Sequence, residues 1–307
     1  ESGAIYATEP HCPHLGAHIG HGGTVSGDEV VCPFHGLRFN ANGDCTRAYQ
    51  EGKVSNGKLR HHRVIERAEI IFVWNGPDEA FFEFPYVEGE ADGWFPHTTY
   101  QTTLDAKSYS VIENIIDYGH LGPVHMGNDV EEIDPFTPNG KLATVCYDIT
   151  MTNRPVYDAI HGKFGFILKY FLKDKLTVRL RLHSTLFGLG LLHAEFQVWN
   201  HGFDGWHVRT MVLPTPNKHG VLDYRYAVQF KPPQGEAQSM KTRLKYKFLV
   251  PFACKENFEE VHQEFPILEN LRYNEKPMLA VGDGPIIQYR KWAAQFIGNG
   301  SSVVVSS

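Results

Sequence analysis

The sequence lacks a long hydrophobic run, a strong charge of either sign and a nucleotide-binding fingerprint. No stretch of about 18 apolar residues occurs, so the sequence predicts no transmembrane helix. A net charge of −6 over 307 residues favours neither nucleic acid nor an anionic membrane as a partner. No Gly-rich loop of the kind that binds dinucleotides is present, so we do not expect this chain to bind NAD(P)H itself.

Cysteine is scarce and follows no disulfide pattern. The count is five, which is odd, and only Cys12 and Cys32 belong to a recognisable motif. Cys45, Cys146 and Cys254 are expected to be buried and to behave as small hydrophobic side chains. Because free thiols suit a reducing compartment, we predict a cytoplasmic protein.

The chain opens without Met on a short stretch typical of a β-strand, Ile5 to Ala7. The strands that pair with it are expected to precede it in the protein. We therefore expect an upstream segment that is not part of this sequence, and any targeting signal or membrane anchor would lie there.

Two cysteines and two histidines near the start form the most informative motif. They occur as Cys12-Pro-His14 and Cys32-Pro-Phe-His35, with 17 residues between the two pairs. This set can hold a two-iron, two-sulfur cluster asymmetrically, one iron taking both thiolates and the other both imidazoles. Neutral imidazole donates less negative charge than thiolate, which raises the potential to roughly −150 to +300 mV. The motif thus predicts a Rieske cluster that passes single electrons onward.

Two other interpretations of this motif stay open. Structural zinc also uses two Cys and two His, although Cys-x-His is tighter than the usual ligand spacing of zinc fingers. A disulfide between Cys12 and Cys32 would leave both histidines unexplained. Pro follows each cysteine and a glycine soon follows each histidine (Gly16, Gly36), which is typical of two tight loops that close over a cluster.

We predict an α+β protein of two domains. Residues 1–84 alternate short β-rich stretches with Gly/Asn/Asp turns, which indicates a small β domain. Residues 85–307 mix strands and helices, which predicts an antiparallel sheet with helices on one side. The expected strands are 94–104, 176–183, 192–199, 206–212 and 224–230, and the expected helices are 110–120, 155–172, 258–273 and 285–296.

A second cluster of metal-ligand residue types follows in this larger domain. Asp117 and His120 are three positions apart, which would place them on one face of a helix. Gly122-Pro123 is expected to end that helix, so that His125 can turn back beside His120. Two imidazoles with a nearby carboxylate form the facial arrangement that binds ferrous iron and leaves positions open. A helix terminus with capping and surface histidines is the alternative.

The Rieske pair followed by Asn114-x2-Asp117-x2-His120-x4-His125 resembles the α-subunit of Rieske non-haem iron oxygenases over nearly the whole chain. The resemblance implies a helix-grip-like catalytic domain and two cofactors, a [2Fe–2S] cluster and a mononuclear Fe(II). It implies that His120 and His125 are iron ligands and that Asn114 and Asp117 are catalytic. Asp117 would bridge His120 and His35 of the partner subunit in a head-to-tail homotrimer.

The third iron ligand implied by the resemblance is a carboxylate far downstream. The family usually shows Gln-Asp-x-x-Ile-Trp, whereas this chain has Gln-Glu264-Phe-Pro266-Ile-Leu. Glu264 takes the ligand position, although it is one methylene longer than Asp. Glu259 and Glu260, one helical turn earlier, are competing candidates. Pro266 near the start of a helix would place Glu264 close to the first turn.

The C-terminal run Asp283-Gly284-Pro285 with Arg290, Trp292 and Phe296 resembles the branch of ketosteroid hydroxylases and cholesterol desaturases. This implies a bulky apolar substrate, for which segments 160–172 and 186–190 are candidate pocket walls or, alternatively, plain core. It also implies a terminal oxygenase that uses O2 and takes electrons from NAD(P)H through a separate reductase, with or without a ferredoxin. The rival function is a Rieske electron-transfer protein without oxygen chemistry, and a third is an oxygenase-like chain that has lost its mononuclear iron.

Overall fold

The computed structural model describes residues 4–48, 56–67, 70–74, 93–125, 127, 129–154, 176–199, 205–217, 219–233 and 240–297. The chain divides into two compact units, Glu1–Glu90 and Ala91–Ser307. The domain boundary predicted after residue 84 lies outside the described residues and stays a prediction. The helix predicted over 155–172 also lies outside them. Among the described residues, no helix is both long and apolar enough to cross a membrane.

The first unit consists of short antiparallel strands. They are β1 (Ala7–Thr8), β2 (Thr24–Ser26), β3 (Glu29–Val31), β4 (Arg38–Phe39), β5 (Cys45–Arg47), β6 (His61–His62), β7 (Val64–Arg67) and β8 (Ile70–Val73). Strands β2 to β5 form one sheet in chain order, and β1–β6 and β7–β8 form two-stranded sheets. The hairpin between β4 and β5 contains one of the predicted Gly/Asn/Asp turns. The Asn40 Oδ1 accepts the backbone N–H groups of Asn42 and Asp44, each at 3.0 Å.

Strand β1 pairs with a strand that follows it rather than with one that precedes it. Ala7 lies opposite His62 and Thr8 opposite His61 in β6. One partner of this strand therefore follows it, and the expectation of a partner strand that precedes it stays a prediction. The sequence pattern could not show the pairing with β6, because β6 is only two residues long and consists of two polar histidines.

The core of the first unit is small and includes the cluster cysteines. Cys12 and Cys32 pack with a few apolar residues, among which Phe39 and Leu59 are almost fully buried. Cys45 belongs to the same core, and Cys146 and Cys254 are buried in the second unit. The prediction that these three cysteines are buried is confirmed.

The second unit is built on a seven-stranded antiparallel sheet in the order β10-β11-β12-β13-β14-β15-β9. Its strands are β9 (Thr98–Leu104), β10 (Asp129–Asn139), β11 (Leu142–Arg154), β12 (Leu176–Phe187), β13 (Leu191–Trp199), β14 (Trp206–Pro216) and β15 (Leu222–Lys231). The sheet confirms the predicted α+β class, and β12 to β15 confirm four predicted strands. Strand β9 is shorter than predicted and pairs with β15 at one edge.

Strands β10 and β11 were not predicted. Alternate residues of β11 are buried along one face, from Ala143 and Val145 through Tyr147 and Ile149 to Met151, as expected for a strand with one face in the core. The intervening polar residues obscure this pattern in the sequence. Strand β10 is mostly exposed and contains two prolines, which only an edge strand tolerates.

The described residues of the second unit include five helices, α1 (Ser108–Glu113), α2 (Leu121–His125), α3 (Met240–His262), α4 (Phe265–Glu269) and α5 (Ile286–Ala293), with a 3-10 turn at Ala294–Phe296. Helix α5 with its 3-10 turn matches the prediction. The single helix predicted over 258–273 is wrong, since α3 begins well before it and ends at His262. Helix α3 packs on the sheet through Phe258, whose ring stacks on Tyr100 with centroids 4.3 Å apart.

Candidate metal centres and active-site cavity

Cys12 and Cys32 lie in two loops that fold in the same way. The N–H of each cysteine donates to the carbonyl five residues later, at 2.9 and 2.8 Å. The N–H of the glycine four residues later returns to the cysteine carbonyl, at 2.9 Å from Gly16 and 3.0 Å from Gly36. These glycines have φ values of 77° and 68°, in the left-handed region that a side chain disfavours. The two loops therefore hold their cysteines in equivalent positions.

Among the four candidate cluster ligands, the two cysteines lie together and the two histidines lie together. Cys12 and Cys32 are each only 2% exposed, and burial together with the neighbouring Cys32 thiol raises the pKa of Cys12. The rings of His14 and His35 have centroids 4.7 Å apart, and the His14 side chain is exposed. Such an arrangement places sulfur ligands inside the unit and imidazoles at its surface, as an asymmetric two-iron cluster requires.

A single zinc ion fits these four residues less well. Tetrahedral zinc holds its ligands about 2.0–2.3 Å from one centre, so that all the ligand atoms lie close together. Among the described residues, no three ligand atoms of Cys12, His14, Cys32 and His35 lie within 4.8 Å of one another. The geometry favours a two-metal cluster that separates the sulfur pair from the nitrogen pair.

In the second unit, the structure brings His120 and His125 together by a different route from the one predicted. Helix α1 ends at Glu113, and residues 114–120 form turns, so Asp117 and His120 do not share a helix face. Pro123 does not end a helix but lies within the first turn of α2. Proline is tolerated there because the N–H groups of a first turn have no partner inside the helix, so its missing N–H costs no hydrogen bond. His120 directly precedes α2, and its carbonyl accepts the Val124 N–H at 2.9 Å.

Glu264 completes this site. Its Oε1 lies 2.6 Å from Nε2 of His125 and 3.6 Å from Nε2 of His120. The two imidazole rings have centroids 5.3 Å apart and are nearly perpendicular. The other carboxylate oxygen, Oε2, accepts a hydrogen bond from the Asn114 side-chain amide. One oxygen of Glu264 is thus held by Asn114 while the other faces both histidines.

Glu264 lies just beyond α3, at the N-cap of α4, with Pro266 in the first turn. The predicted position of Glu264, close to the first turn of a helix that begins near Pro266, is confirmed. Of the two competing glutamates, Glu259 is exposed to solvent. Glu260 lies on the far side of His125, with Oε2 3.6 Å from Nδ1. Neither competitor faces the nitrogen atoms that Glu264 faces.

Each histidine is backed by a carboxylate on the side away from Glu264. Asp117 Oδ2 lies 3.6 Å from Nδ1 of His120, and Glu260 occupies the same position behind His125. Metal-binding histidines commonly present their second ring nitrogen to a carboxylate, which fixes the ring orientation and the tautomer. The pair Asp117 and Glu260 therefore leaves both Nε2 atoms free to face a common centre.

The ligand atoms of His120, His125 and Glu264 all lie within 4.8 Å of one another. Two imidazoles and one carboxylate are the donor set of the facial arrangement that binds ferrous iron and leaves coordination positions open. All three side chains are only partly exposed. The residues present therefore fit a mononuclear iron.

Protons compete with a metal ion at this site. Burial lowers the pKa of His120, but the carboxylates of Asp117 and Glu264 outweigh it and raise the pKa to about 9. Burial raises the pKa of Glu264, and its two histidine neighbours lower it below the usual value. At neutral pH the metal-free site thus holds an imidazolium beside a carboxylate, and a metal ion must displace the proton of His120.

We expect the metal affinity of the second site to rise with pH. Below the His120 pKa, binding releases one proton from this residue, so affinity should increase about tenfold from pH 7 to pH 8. Anaerobic titration of the metal-free site with Co(II), followed by its visible absorption, measures this slope. An affinity that does not change between these two pH values would contradict the assignment of His120 as a ligand.

A large cavity opens beside this site within the second unit. The space between its walls is about 1180 Å³, which includes open solvent at the mouth. Apolar side chains from β11 to β14 form one wall, and the opposite wall comes from α1, α2, α3 and α4. The sheet wall includes Ile149, Met151, Leu180, Leu182, Leu192, Phe196, Val198, Val208 and Val212.

The pocket segments predicted from sequence are not those that line this cavity. Residues 160–172 lie outside the described part of the chain. Residues 186–190 form the end of β12 and the turn into β13. Leu186 is fully buried, and a Cβ at Gly188 would lie 3.4 Å from the Phe296 ring. This second segment is core, which was the alternative interpretation.

The run Asp283-Gly284-Pro285 supports the turn that carries Asp117 and His120. Gly284 has a φ of 74°, and a Cβ there would lie 2.2 Å from the Ile116 carbonyl oxygen. A Cβ at Gly119 would lie 2.8 Å from a carboxylate oxygen of Asp283. Gly284 therefore packs directly on the backbone of this turn, and only glycine fits at position 284.

Arg290 ties the same C-terminal region to α1. Its Nε and Nη2 each donate to the Glu113 carboxylate at 2.7 Å, and its guanidinium lies 4.7 Å from the centroid of the Tyr273 ring. Trp292 donates from Nε1 to the Gly140 carbonyl at 2.9 Å. Of the residues that carried the branch resemblance, Asp283 and Gly284 thus contact the turn that carries Asp117 and His120, and none of these residues lines the cavity.

The family comparisons match the two units separately. Residues 1–73 match the family described as Rieske [2Fe-2S] domain. Residues 73–297, most of the chain, match the family described as 3-Ketosteroid 9alpha-hydroxylase C-terminal domain.

Curated relatives align with almost the whole chain. Cholesterol 7-desaturase of Caenorhabditis elegans is 28% identical over 96% of this chain and 69% of its own length. Its counterpart from Xenopus laevis is 28% identical over 97% of this chain and 65% of its own length. The oxygenase component of 3-ketosteroid-9-alpha-monooxygenase from Rhodococcus rhodochrous is 24% identical over 95% of this chain and 70% of its own length. The chain therefore spans about two thirds of the length of these relatives.

Solved structures share the fold at low identity. Pseudomonas putida CBB5 NdmA with caffeine superposes with a TM-score of 0.68 at 17% identity, covering 95% of this chain and 79% of that one. Dicamba monooxygenase bound to dicamba superposes with a TM-score of 0.66 at 15% identity, covering 94% of this chain and 85% of that one. These likenesses concern the fold alone.

Proposed function

Because this chain belongs to the Rieske oxygenases with a 3-ketosteroid 9α-hydroxylase C-terminal domain, we propose that it is a terminal oxygenase component. Its cofactors are a [2Fe–2S] cluster and a mononuclear iron. The proposed reaction is hydroxylation or desaturation of a bulky apolar substrate. A single observation carries the proposal: His120, His125 and Glu264 converge at the wall of a large apolar cavity.

The residues that would hold the two cofactors are those that the motifs indicated. Cys12, His14, Cys32 and His35 would hold the cluster, and His120, His125 and Glu264 the mononuclear iron. When bound, the cluster supplies single electrons and the iron supplies a centre for dioxygen activation. Overall, dioxygen with two electrons and two protons converts a C–H bond to an alcohol plus one water, or removes two hydrogens from adjacent carbons to give an alkene plus two waters.

The side chains around the ligands orient them and exclude water. The Asn114 amide holds one oxygen of Glu264, which keeps the other directed at the histidines. Asp117 and Glu260 lie behind the imidazole rings, each 3.6 Å from a ring nitrogen, where their charges favour this orientation of the rings. The apolar sheet wall keeps bulk water away from the reacting carbon and binds the substrate through burial of its apolar surface.

Asp117 has a second proposed role, in electron transfer. Its side chain is 36% exposed while one carboxylate oxygen faces His120, so the carboxylate reaches from the iron site to the surface of the unit. We propose that it accepts a hydrogen bond from His35 of the partner subunit in a head-to-tail homotrimer. Such a contact would connect the cluster of one subunit to the iron of the next.

Separate proteins would deliver the electrons. The Rhodococcus rhodochrous relative is named an oxygenase component, and this chain has no dinucleotide-binding fingerprint. We propose an NAD(P)H-dependent reductase as the partner, acting directly or through a ferredoxin. Cys45, Cys146 and Cys254 form no disulfide, which supports a reducing compartment such as the cytoplasm.

Iron content and oxygen uptake test the proposed function together. An oxygenase should contain about three irons per chain, two in the cluster and one mononuclear. With a generic reductase and NADH, either androst-4-ene-3,17-dione or cholesterol should stimulate oxygen consumption and yield a hydroxylated or desaturated product. These probes follow from the names of the relatives.

Two rival functions predict other results. An electron-transfer Rieske protein should contain about two irons per chain and show no substrate-dependent oxygen uptake. A chain that has lost its mononuclear iron should show the same, with a normal Rieske spectrum, even after incubation with Fe(II). Either pattern would overturn the proposal.

A further inference from the structure

Two tyrosines connect the wall of the cavity to the surface of the second unit. Tyr147 on β11 lines the cavity together with His120 and Glu264, and it is only 1% exposed. Its ring lies against that of Tyr118, with centroids 4.7 Å apart. The proposed reaction uses neither phenol. Because tyrosine is one of the few side chains that lose a single electron reversibly, two phenols in contact beside a redox metal site form a path for electrons.

The surrounding backbone holds this tyrosine pair in place. The Tyr147 O–H donates to the Ile115 carbonyl at 3.1 Å, which ties the inner phenol to the turn that carries Tyr118. On another side, a Cβ at Gly284 would lie 3.1 Å from the Tyr118 ring, so the C-terminal segment packs closely on the outer phenol. The fold therefore keeps the two rings in contact.

The outer end of the tyrosine pair reaches a carboxylate. The Tyr118 O–H donates to Oε2 of Glu132 at 3.3 Å, and Glu132 is exposed on β10, opposite Tyr147 in the ladder. A phenol that loses an electron becomes a strong acid and must release its proton. A carboxylate can take that proton, whereas the Ile115 carbonyl beside Tyr147 accepts a hydrogen bond but does not keep a proton. Tyr118 is therefore the phenol on which an oxidising equivalent comes to rest.

Tyr224 provides a comparison within the same cavity. It also lines the wall and is 2% exposed, but its ring lies against that of Phe265, with centroids 4.9 Å apart. Phenylalanine is much harder to oxidise than tyrosine, so this contact does not extend a path for electrons. Tyr224 is thus a matched control for the tyrosine pair.

We propose that Tyr147 and Tyr118 protect the iron site by donating an electron to it when dioxygen is reduced there without a substrate. This inference rests on the proposed function and adds a protective function to it. Tyr147 gives one electron to the iron site and takes one from Tyr118, whose hydroxyl proton passes to Glu132. The iron site is reduced by one electron and Tyr118 becomes a neutral phenoxyl radical. A small thiol in solution then returns one hydrogen atom to the radical, and Glu132 releases its proton to water.

The radical is the direct test. Holoenzyme is reduced without oxygen, mixed with dioxygen in the absence of substrate, frozen within milliseconds and measured by electron paramagnetic resonance. We expect a tyrosyl radical, and peptide mapping of a covalent spin-trap adduct should place it on Tyr118. The signal should be lost in Tyr118→Phe and kept in Tyr224→Phe. No tyrosyl radical in the wild type, or an undiminished signal in Tyr118→Phe, would overturn the proposal.

Two neighbouring glutamates on β10 test the proton transfer. Glu132→Gln removes the proton acceptor and should slow radical formation about 100-fold, as expected when a positioned base is lost. Glu131→Gln is the matched control and should leave the rate unchanged. Both side chains are exposed, so neither change should disturb the fold, which is checked by iron content and the Rieske spectrum. Equal rates in the two variants would overturn the relay from Tyr118 to Glu132.

Protection is measured on Met151, which lines the same cavity. Its thioether takes up an oxygen atom to form a sulfoxide, and mass spectrometry detects this product without any assay of turnover. During repeated exposure of reduced enzyme to dioxygen without substrate, Tyr118→Phe should accumulate Met151 sulfoxide several times faster than wild type or Tyr224→Phe. Equal accumulation in all three proteins would overturn the protective role.

The outcome is separable from that of the proposed function. The radical is detected without substrate and does not depend on steroid turnover. If the radical forms on Tyr118 while no steroid stimulates oxygen uptake, this inference stands and the proposed substrate class falls. If substrate-dependent uptake stands while no radical forms, only this inference is wrong.

Discussion

Replacing Glu264 by Ala is expected to remove the mononuclear iron and leave the cluster in place. Iron should fall from about three to about two atoms per chain, with an unchanged Rieske spectrum. The reason is geometric, since the Glu264 carboxylate faces Nε2 of both histidines. Substrate-dependent oxygen uptake should fall by more than about 100-fold, because even residues behind metal ligands cost 10–100-fold when removed. Metal analysis, visible spectroscopy and an oxygen electrode measure the three effects.

The control is Glu259→Ala, which removes an exposed glutamate five residues earlier. It should retain full iron content and uptake. Glu264→Asp restores the residue usual in the family and should bind iron, with lower affinity because the carboxylate is withdrawn by one methylene. A Glu264→Ala protein that keeps about three irons would show that another carboxylate is the third ligand, and Glu260 would be the first to test.

Replacing Asp117 by Ala is expected to leave all the iron bound and nearly abolish turnover. Asp117 is not in the ligand set, but its carboxylate lies 3.6 Å from Nδ1 of His120 and would carry the contact to the partner subunit. We expect uptake to fall at least about 100-fold, because both the orientation of His120 and the path for the electron are lost. Single-turnover experiments with pre-reduced enzyme measure reoxidation of the cluster directly.

Glu260→Ala separates these two causes. Glu260 lies at the same distance behind His125 as Asp117 behind His120, so it has the same orienting geometry without the proposed electron path. We expect slow cluster reoxidation in the Asp117 variant and near-normal reoxidation in the Glu260 variant. Equal rates in the two variants would reduce Asp117 to an orienting role. If Asp117→Ala keeps most of the wild-type activity, both proposed roles of Asp117 are contradicted.

The sequence was most informative where the chemistry is local. The Rieske motif consists of two short loops whose ligands, prolines and glycines are adjacent in the chain, so spacing alone indicates a shared structure. The position of Glu264 could likewise be predicted from the sequence, because Pro266 marks a helix start beside it. Strands β12 to β15 could be predicted because each is a continuous hydrophobic or alternating stretch.

Prediction was poorer where contacts between distant segments decide the structure. The sequence favours a helix through 120, but the chain leaves the helix at Glu113 because residues 114–120 pack against the 280–284 segment. Polar interruptions hid β11, although its buried face supplies part of the cavity wall.

The close packing of Gly284 on the Ile116 carbonyl has a consequence for engineering this enzyme. The exposed stretch around Met278 and Val281 looks like a convenient place to graft a loop, add a tag or shorten the chain, since it touches no substrate. Yet a shift of the adjoining Gly284 would be transmitted through its contacts with Ile116 and Tyr118 to the turn that carries His120. Redesign of that exterior loop should therefore be screened by metal occupancy before any change in product is interpreted.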